Sequence, residues 1–247
     1  MQNTFMMEEL ASNGYVVASP DHTYDAALTV MTDGRVIFHD EDAIFPKDKS
    51  RSDSNRRLVD IRQEDLLSII DQFEIMNDEG DSRFANRFDL NKIGFTGHSA
   101  GGGTVLAACV EDARCDAAIA LDSWVQPILG DQPINKIDIP VLYLNSPEWL
   151  GQENKEGGKG LALGASAPSV MVTIQGAGHN DFTDIPLLSP LARLLGLAGT
   201  IDTQIAHQLI NEYSLAFLEH ILRAETNTLD DLSLPFHQEA TVETYQP

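Results

Sequence analysis

The run Gly97-His98-Ser99-Ala100-Gly101-Gly102, directly after the apolar residues Ile93-Gly94-Phe95-Thr96, constrains this chain more than any other segment. It has the form G-x-S-x-G. The residues after it, Thr104-Val105-Leu106-Ala107-Ala108-Cys109-Val110, read as an apolar helix, so the pattern sits where a buried strand turns sharply into a helix. Such an elbow needs a sheet below it and a helix behind it. It holds the Ser99 hydroxyl on a strained turn and aims the unpaired N–H groups of the helix N-terminus at the same point. Glycines at 97 and 101 are expected to remove Cβ atoms that would crowd the turn. A serine hydroxyl attacks well only when a base takes its proton. The pattern therefore predicts a base and an acid elsewhere in the chain.

The remaining periodicities supply the sheet. Residues 4–12 read as a short helix ended by Asn13-Gly14, and residues 15–18 as a short strand. Residues 19–57 are polar and read as a long surface excursion. Asp60 with Gln63 resembles a capping box, opening a helix with Leu66, Ile69, Ile70, Phe73 and Met76 on one face. Residues 93–96, 117–121, 141–144 and 170–174 read as buried strands, the fourth being the last. Residues 151–168 read as a Gly-rich loop, and 182–199 as a Leu-rich segment punctuated by proline. Residues 203–222 read as an amphipathic helix with Ile205, Leu209, Tyr213, Phe217 and Ile221 inward. The tail from Glu225 is polar and expected to be loosely ordered. Continuous apolar strands alternating with helices predict an α/β fold, a mainly parallel sheet with helices on both faces. Ligands of such sheets bind at the carboxyl ends of the strands.

Composition bounds the partners. At 247 residues and 43% hydrophobic content, residues 1–247 are expected to form a single α/β domain with a sizeable core. The net charge of −22 opposes nucleic acid as a partner and disfavours anionic membrane surfaces. No apolar run reaches the roughly 20 residues of a transmembrane segment. The N-terminus lacks the basic and apolar regions of a signal peptide, which points to a cytoplasmic location. Cys109 and Cys115 form no disulfide framework and no metal cluster, and are expected to be buried free thiols. No cofactor and no metal is implied.

Of seven histidines, His179 suits the base. It follows the strand at 170–174 within Gly176-Ala177-Gly178-His179-Asn180-Asp181-Phe182, and it follows Ser99 in the chain order Ser, acid, His. Two carboxylates compete as the acid. Asp122 ends the strand at 117–121, and Glu148 follows the strand at 141–144. Strand-end geometry favours Asp122, with Glu148 as the alternative. Asp181 is too near His179 in sequence and reads as a loop-stabilising residue.

Several segments together resemble the platelet-activating-factor acetylhydrolase family of α/β-hydrolases and its bacterial esterase relatives. They are Leu10-Ala11-Ser12-Asn13-Gly14-Tyr15-Val16-Val17, the elbow, Ile119-Ala120-Leu121-Asp122-Ser123-Trp124, His179-Asn180-Asp181-Phe182-Thr183-Asp184 and Ser214-Leu215-Ala216-Phe217-Leu218. The resemblance implies the α/β-hydrolase fold, Ser99 as nucleophile, Asp122 as acid, His179 as base, and metal-free hydrolysis of short-acyl esters. It also implies that the chain is shortened at the N-terminus, without the family's glycine-containing oxyanion loop. The Ala100 N–H then supplies one oxyanion donor, and the second is expected from a backbone N–H or hydroxyl near His22-Thr23-Tyr24, the alternative being low activity.

The expectation is a serine carboxylesterase acting through an acyl-enzyme on a small-molecule ester, with Trp124, Phe182 and the 185–197 segment lining the substrate pocket. The alternatives are a phospholipase A2-like or polyester-cleaving hydrolase on the same triad, and a non-enzymatic pseudo-hydrolase with an incomplete oxyanion hole. The oligomeric state is not readable from the chain.

Overall fold

In the computed structural model, which describes residues 2–80, 83–130, 133–134, 136–224, 229 and 232–247, the apolar runs lie side by side in one sheet. In chain order the helices are α1 (Thr4–Ser12), α2 (Glu41–Ile44), α3 (Arg51–Asp78), α4 (Ala100–Glu111), α5 (Gln126–Leu129), α6 (Gln152–Gly164) and α7 (Thr203–Leu218). The strands are β1 (Leu28–Val30), β2 (Val36–Phe38), β3 (Gly94–His98), β4 (Ala117–Leu121), β5 (Val141–Asn145), β6 (Ser169–Ile174) and β7 (Ala240–Tyr245). Strands β3, β4, β5 and β6 are parallel neighbours in that order, and β7 adds antiparallel to β6. β1 and β2 pair as a separate antiparallel hairpin.

Helices cover both faces, as the strand pattern predicted. Every residue of β4 and β5 is buried, which fits strands of a doubly covered parallel sheet. Ile119, Leu121, Leu142, Leu144, Val170 and Val172 meet Met6 and Leu10 of α1 and Leu209, Tyr213 and Phe217 of α7 on one face. Ala118, Ala120, Val141, Tyr143 and Met171 meet Val59 of α3, Leu106 of α4 and Ala162 of α6 on the other.

Several elements differ from the sequence reading. Residues 15–18 are irregular rather than a strand. Helix α3 starts at Arg51, capped by the Ser50 hydroxyl accepting from Asp53 N–H at 3.1 Å, and Asp60 lies within it, paired with Arg56 at 2.8 Å. Charged residues on an exposed helix face carry no hydrophobic period, so that first half looked like loop. Residues 152–164 are helix rather than loop. At Gly158 a Cβ would lie 2.1 Å from the Trp149 ring, so the glycine there permits close packing rather than marking a turn. Residue Ile205 of α7 is 43% exposed, whereas Leu209, Tyr213, Phe217 and Ile221 are buried as expected. In the polar tail, residues 225–228 and 230–231 lie outside the described residues, but 240–245 form β7. Its largely exposed edge position allows polar side chains throughout.

The two cysteines are bridged rather than free. Helix α4 ends at Glu111 and the chain turns straight back into β4, which brings the Cα atoms of Cys109 and Cys115 to 5.1 Å, within bridging range. Thiol titration of the unreduced, denatured chain is expected to find no free thiol. With a sequence separation of 6, the short loop limits the stabilisation to about 2 kcal/mol, so Cys115→Ser is expected to lower the melting temperature by about 5 °C. Two titratable thiols would contradict the bridge.

Candidate active site

The elbow forms at the carboxyl end of β3, which stands at the edge of the sheet among the described residues. Ser99 has φ 57 and ψ −121, a strained conformation for a residue with a side chain. Backbone hydrogen bonds hold it there. Ser99 N–H donates to Leu121 O at 2.9 Å, and Ser99 O accepts from Trp124 N–H at 2.7 Å and from Gly102 N–H at 3.0 Å. The glycines divide differently from the expectation. A Cβ at Gly97 would lie 2.3 Å from Gly101 O, and one at Gly102 would lie 2.4 Å from Ser123 Cβ. At Gly101 itself a Cβ would meet nothing within 4 Å. The crowding at Gly97 is within the elbow, against the backbone of residue 101, and the crowding at Gly102 is against the end of β4. Ala100 opens α4, so its N–H is among the helix amides without a partner one turn back.

Strand β4 ends one position before Asp122, which has φ 39 and is fully buried. Its Oδ1 accepts from Ser146 N–H at 2.7 Å, just past the end of β5. Its Oδ2 lies 2.7 Å from His179 Nδ1. A buried carboxylate requires such partners, and the imidazole N–H is one of two found here. Glu148, the alternative acid, stands exposed in the turn after β5. Pairing Nδ1 with a carboxylate leaves Nε2 of His179 as the basic nitrogen, the arrangement a general base needs. No hydrogen bond closes between Ser99 Oγ and the imidazole among the described residues. Such contacts are commonly long until substrate is present.

The segment after β6 carries His179 and is fastened at several points. The Asp181 Oδ2 atom accepts from Gly178 N–H at 2.8 Å and Gly199 N–H at 2.6 Å, cinching the base of the Leu-rich excursion. Asp181 thus stabilises the loop, as its position suggested. Asp184 accepts from Thr4 N–H at 2.7 Å and Phe5 N–H at 3.3 Å, capping α1 from across the fold. Phe182 is 0% exposed and packs in the core with α7, so its side chain anchors the loop from below rather than lining an open pocket. Trp124 is half-buried beside the Ser99 backbone, its indole N–H donating to Gln126 Oε1 at 3.0 Å. The His22 ring is engaged with Asp65 of α3, its Nδ1 lying 2.9 Å from Oδ2. A cavity of about 420 Å³ opens elsewhere, between Arg56, Asp60 and Glu64 of α3 and Ala107 and Val110 of α4.

Three supporting residues were not visible in the sequence reading. Asn154 of α6 is buried; its Oδ1 accepts from Val125 N–H at 2.9 Å and its amide donates to Ser123 O at 2.8 Å, fixing the turn after Asp122. The indole N–H of Trp149 donates to the same Ser123 O at 2.9 Å. Their signal was a lone Asn in a segment taken for loop. The third is His98, whose Nε2 lies 3.0 Å from His179 O and whose ring centroid is 4.4 Å from that of His179. Desolvation by burial, and then the neighbouring His179, push the His98 imidazole down to about 4. Burial also lowers His207, whose Nε2 lies 3.0 Å from Thr183 O.

The chain is similar to known ester hydrolases over most of its length. A family model described as platelet-activating factor acetylhydrolase, isoform II, matches residues 3–235. Curated platelet-activating factor acetylhydrolases from Cavia porcellus and Canis lupus familiaris are 29% and 30% identical, over 89% and 91% of this chain. The matches cover 54% and 55% of those relatives, so the chain spans about half their length. A solved ferulic acid esterase from Streptomyces cinnamoneus superposes with a TM-score of 0.74 at 28% identity, over 97% of this chain and 68% of that one.

The lowered His98 sets a pH dependence of stability. In the unfolded chain an imidazole titrates near 6.5, while folded His98 stays neutral down to about 4. Between those values the unfolded state binds the extra proton, so stability falls as pH drops through this window. His207 acts in the same direction. Denaturant unfolding at about pH 7 and about pH 5 is expected to show a loss that His98→Phe reduces by about 2 kcal/mol. Equal losses in the two proteins would contradict a buried neutral His98.

Proposed function

Because the chain belongs to the platelet-activating factor acetylhydrolase family, we propose that it is a serine carboxylesterase acting on esters with short acyl groups. The observation that carries this reading is the 2.7 Å contact of the buried Asp122 carboxylate with His179, beside a serine in an elbow conformation. In this reading Ser99 Oγ attacks the ester carbonyl carbon while His179 Nε2 takes its proton. The tetrahedral oxyanion accepts a hydrogen bond from Ala100 N–H. His179 returns the proton to the leaving alkoxide, giving an alcohol and an acyl-Ser99. His179 then takes a proton from water, whose oxygen attacks the acyl carbon; the bond from that carbon to Ser99 Oγ breaks, His179 returns the proton to Oγ, and a carboxylic acid leaves. Asp122 holds the imidazole in the productive tautomer and stabilises the imidazolium formed in each half-reaction. No step calls for a metal or cofactor.

A phospholipase-type specificity on the same triad is favoured by one observation. The segment that springs from the His179 loop exposes Leu187, Leu188, Leu191, Leu194 and Leu195, with Leu188 at 80% and Leu194 at 83%. An apolar patch of this kind suits esters carrying long hydrocarbon parts or presented at an aggregate surface. The acidic chain favours neutral or zwitterionic substrates over anionic ones. The Cys109–Cys115 bridge favours an oxidising compartment over the cytoplasm as the place of action, because reducing compartments keep thiols free.

Turnover of a chromogenic acetate ester is expected to fall about 10⁴-fold or more in Ser99→Ala. Asp122→Ala is expected to cost about 10³- to 10⁴-fold, and Glu148→Ala nothing measurable. Equal rates in wild type and Ser99→Ala would leave a ligand-binding pseudo-hydrolase as the reading, and a larger loss in Glu148→Ala than in Asp122→Ala would overturn the choice of acid. Replacing both Leu188 and Leu194 with serine is expected to raise KM on a micellar phospholipid ester about tenfold and to leave the soluble acetate ester unaffected. An unchanged micellar KM would remove the leucine patch from the account.

A further inference from the structure

His98 precedes the candidate nucleophile and takes no part in the proton transfers above, yet it contacts His179 twice. Its Nε2 lies 3.0 Å from the backbone carbonyl of His179, and the two rings lie 4.4 Å apart at 37°. A carbonyl oxygen only accepts, so the proton of the neutral ring sits on Nε2 and Nδ1 is bare. The bond joins the end of β3 to the loop after β6 across the two intervening strands. His179 is thereby held at both ends. Asp122 grips the ring through Nδ1, and His98 grips the main chain of the same residue.

We propose that His98 is a positioning residue for His179, its Nε2–H fixing the carbonyl of residue 179 against the nucleophile strand and so setting the imidazole between Asp122 and Ser99. Ser99 and His98 are consecutive, so the clamp references the base to the atom it must deprotonate. Other fastenings of the loop, through Asp181 and Asp184, refer it to its own base and to α1 instead. The clamp also has to remain neutral. His179 becomes a cation in both half-reactions, and a charged neighbour 4.4 Å away would oppose that step. Burial keeps His98 uncharged.

The kinetic part of this proposal rests on the serine-esterase reading, and the spectroscopic part does not. Two variants separate the donor from the ring. His98→Phe keeps a planar ring without a donor, and His98→Gln restores an N–H of similar reach. On a soluble acetate ester, His98→Phe is expected to lower kcat about tenfold with KM unchanged, and His98→Gln to recover to within about threefold of wild type. In the proton NMR spectrum the downfield His179 Nδ1–H signal, held by Asp122, is expected to broaden in His98→Phe and sharpen again in His98→Gln. A residue that served folding alone would lower the melting temperature and leave kcat, KM and that signal in place. Wild-type kcat with an undisturbed signal in His98→Phe overturns the proposal, as does His98→Gln behaving no better than His98→Phe. Absence of turnover in the wild type would overturn the esterase reading, and the NMR comparison alone would then decide the role of His98.

Discussion

The 2.7 Å contact between His179 Nδ1 and Asp122 Oδ2 is the interaction on which the rest of the site depends. The carboxylate is fully buried, and burial of a charge is costly unless its oxygens are satisfied. Ser146 N–H satisfies one oxygen and the imidazole the other. Removing either partner leaves one carboxylate oxygen without a donor in the interior. The contact also demands a particular sheet. Asp122 ends β4 while His179 follows β6, so the loop after β6 must reach back over β5. Because β4, β5 and β6 are parallel, their carboxyl ends lie at one edge of the sheet.

The loop that makes the crossing is held by several separate fastenings. Phe182 anchors it in the core, Asp181 ties Gly178 to Gly199, and Asp184 caps α1. The nucleophile side is held by different means. There the strained φ of Ser99 is over-determined by backbone hydrogen bonds from Trp124 and Gly102, by Gly97, which lets the turn close on the backbone of residue 101, and by Gly102, which lets the elbow press against the end of β4. The Asn154 and Trp149 contacts with residue 123 brace the same region from α6 and the turn before it. The two halves of the site are therefore rigid for separate reasons and must be brought into register, which is the work assigned to His98.

What was legible in the sequence follows the strength of the physical signal. The residue spans 117–121 and 141–144 stood out because strands buried on both faces are continuously apolar, and the elbow stood out because its glycines answer to close backbone approach. His179 and Asp122 followed from chain order and strand ends, and the structure brings them together. Helix α6 and strand β7 were missed because their residues answer to neighbours rather than to local propensity. Gly158 is glycine because Trp149 packs on it, and β7 is polar because it lies at an edge. The Cys109–Cys115 bridge depended on how tightly the chain turns between α4 and β4, which the five intervening positions do not reveal by composition. Phe182 was expected to line the pocket, but it lies in a short helical turn that sends its side chain into the core instead.

The proposed chemistry requires Ser99 to be a nucleophile activated by His179. Intact-mass analysis and peptide mapping after exposure to a fluorophosphonate test it most directly, because this reagent phosphonylates a serine that has a working base and requires no particular substrate. The account predicts one adduct, on the peptide containing Ser99, and its loss in His179→Ala. No adduct on the wild type, an adduct on another residue, or undiminished labelling in His179→Ala would contradict it.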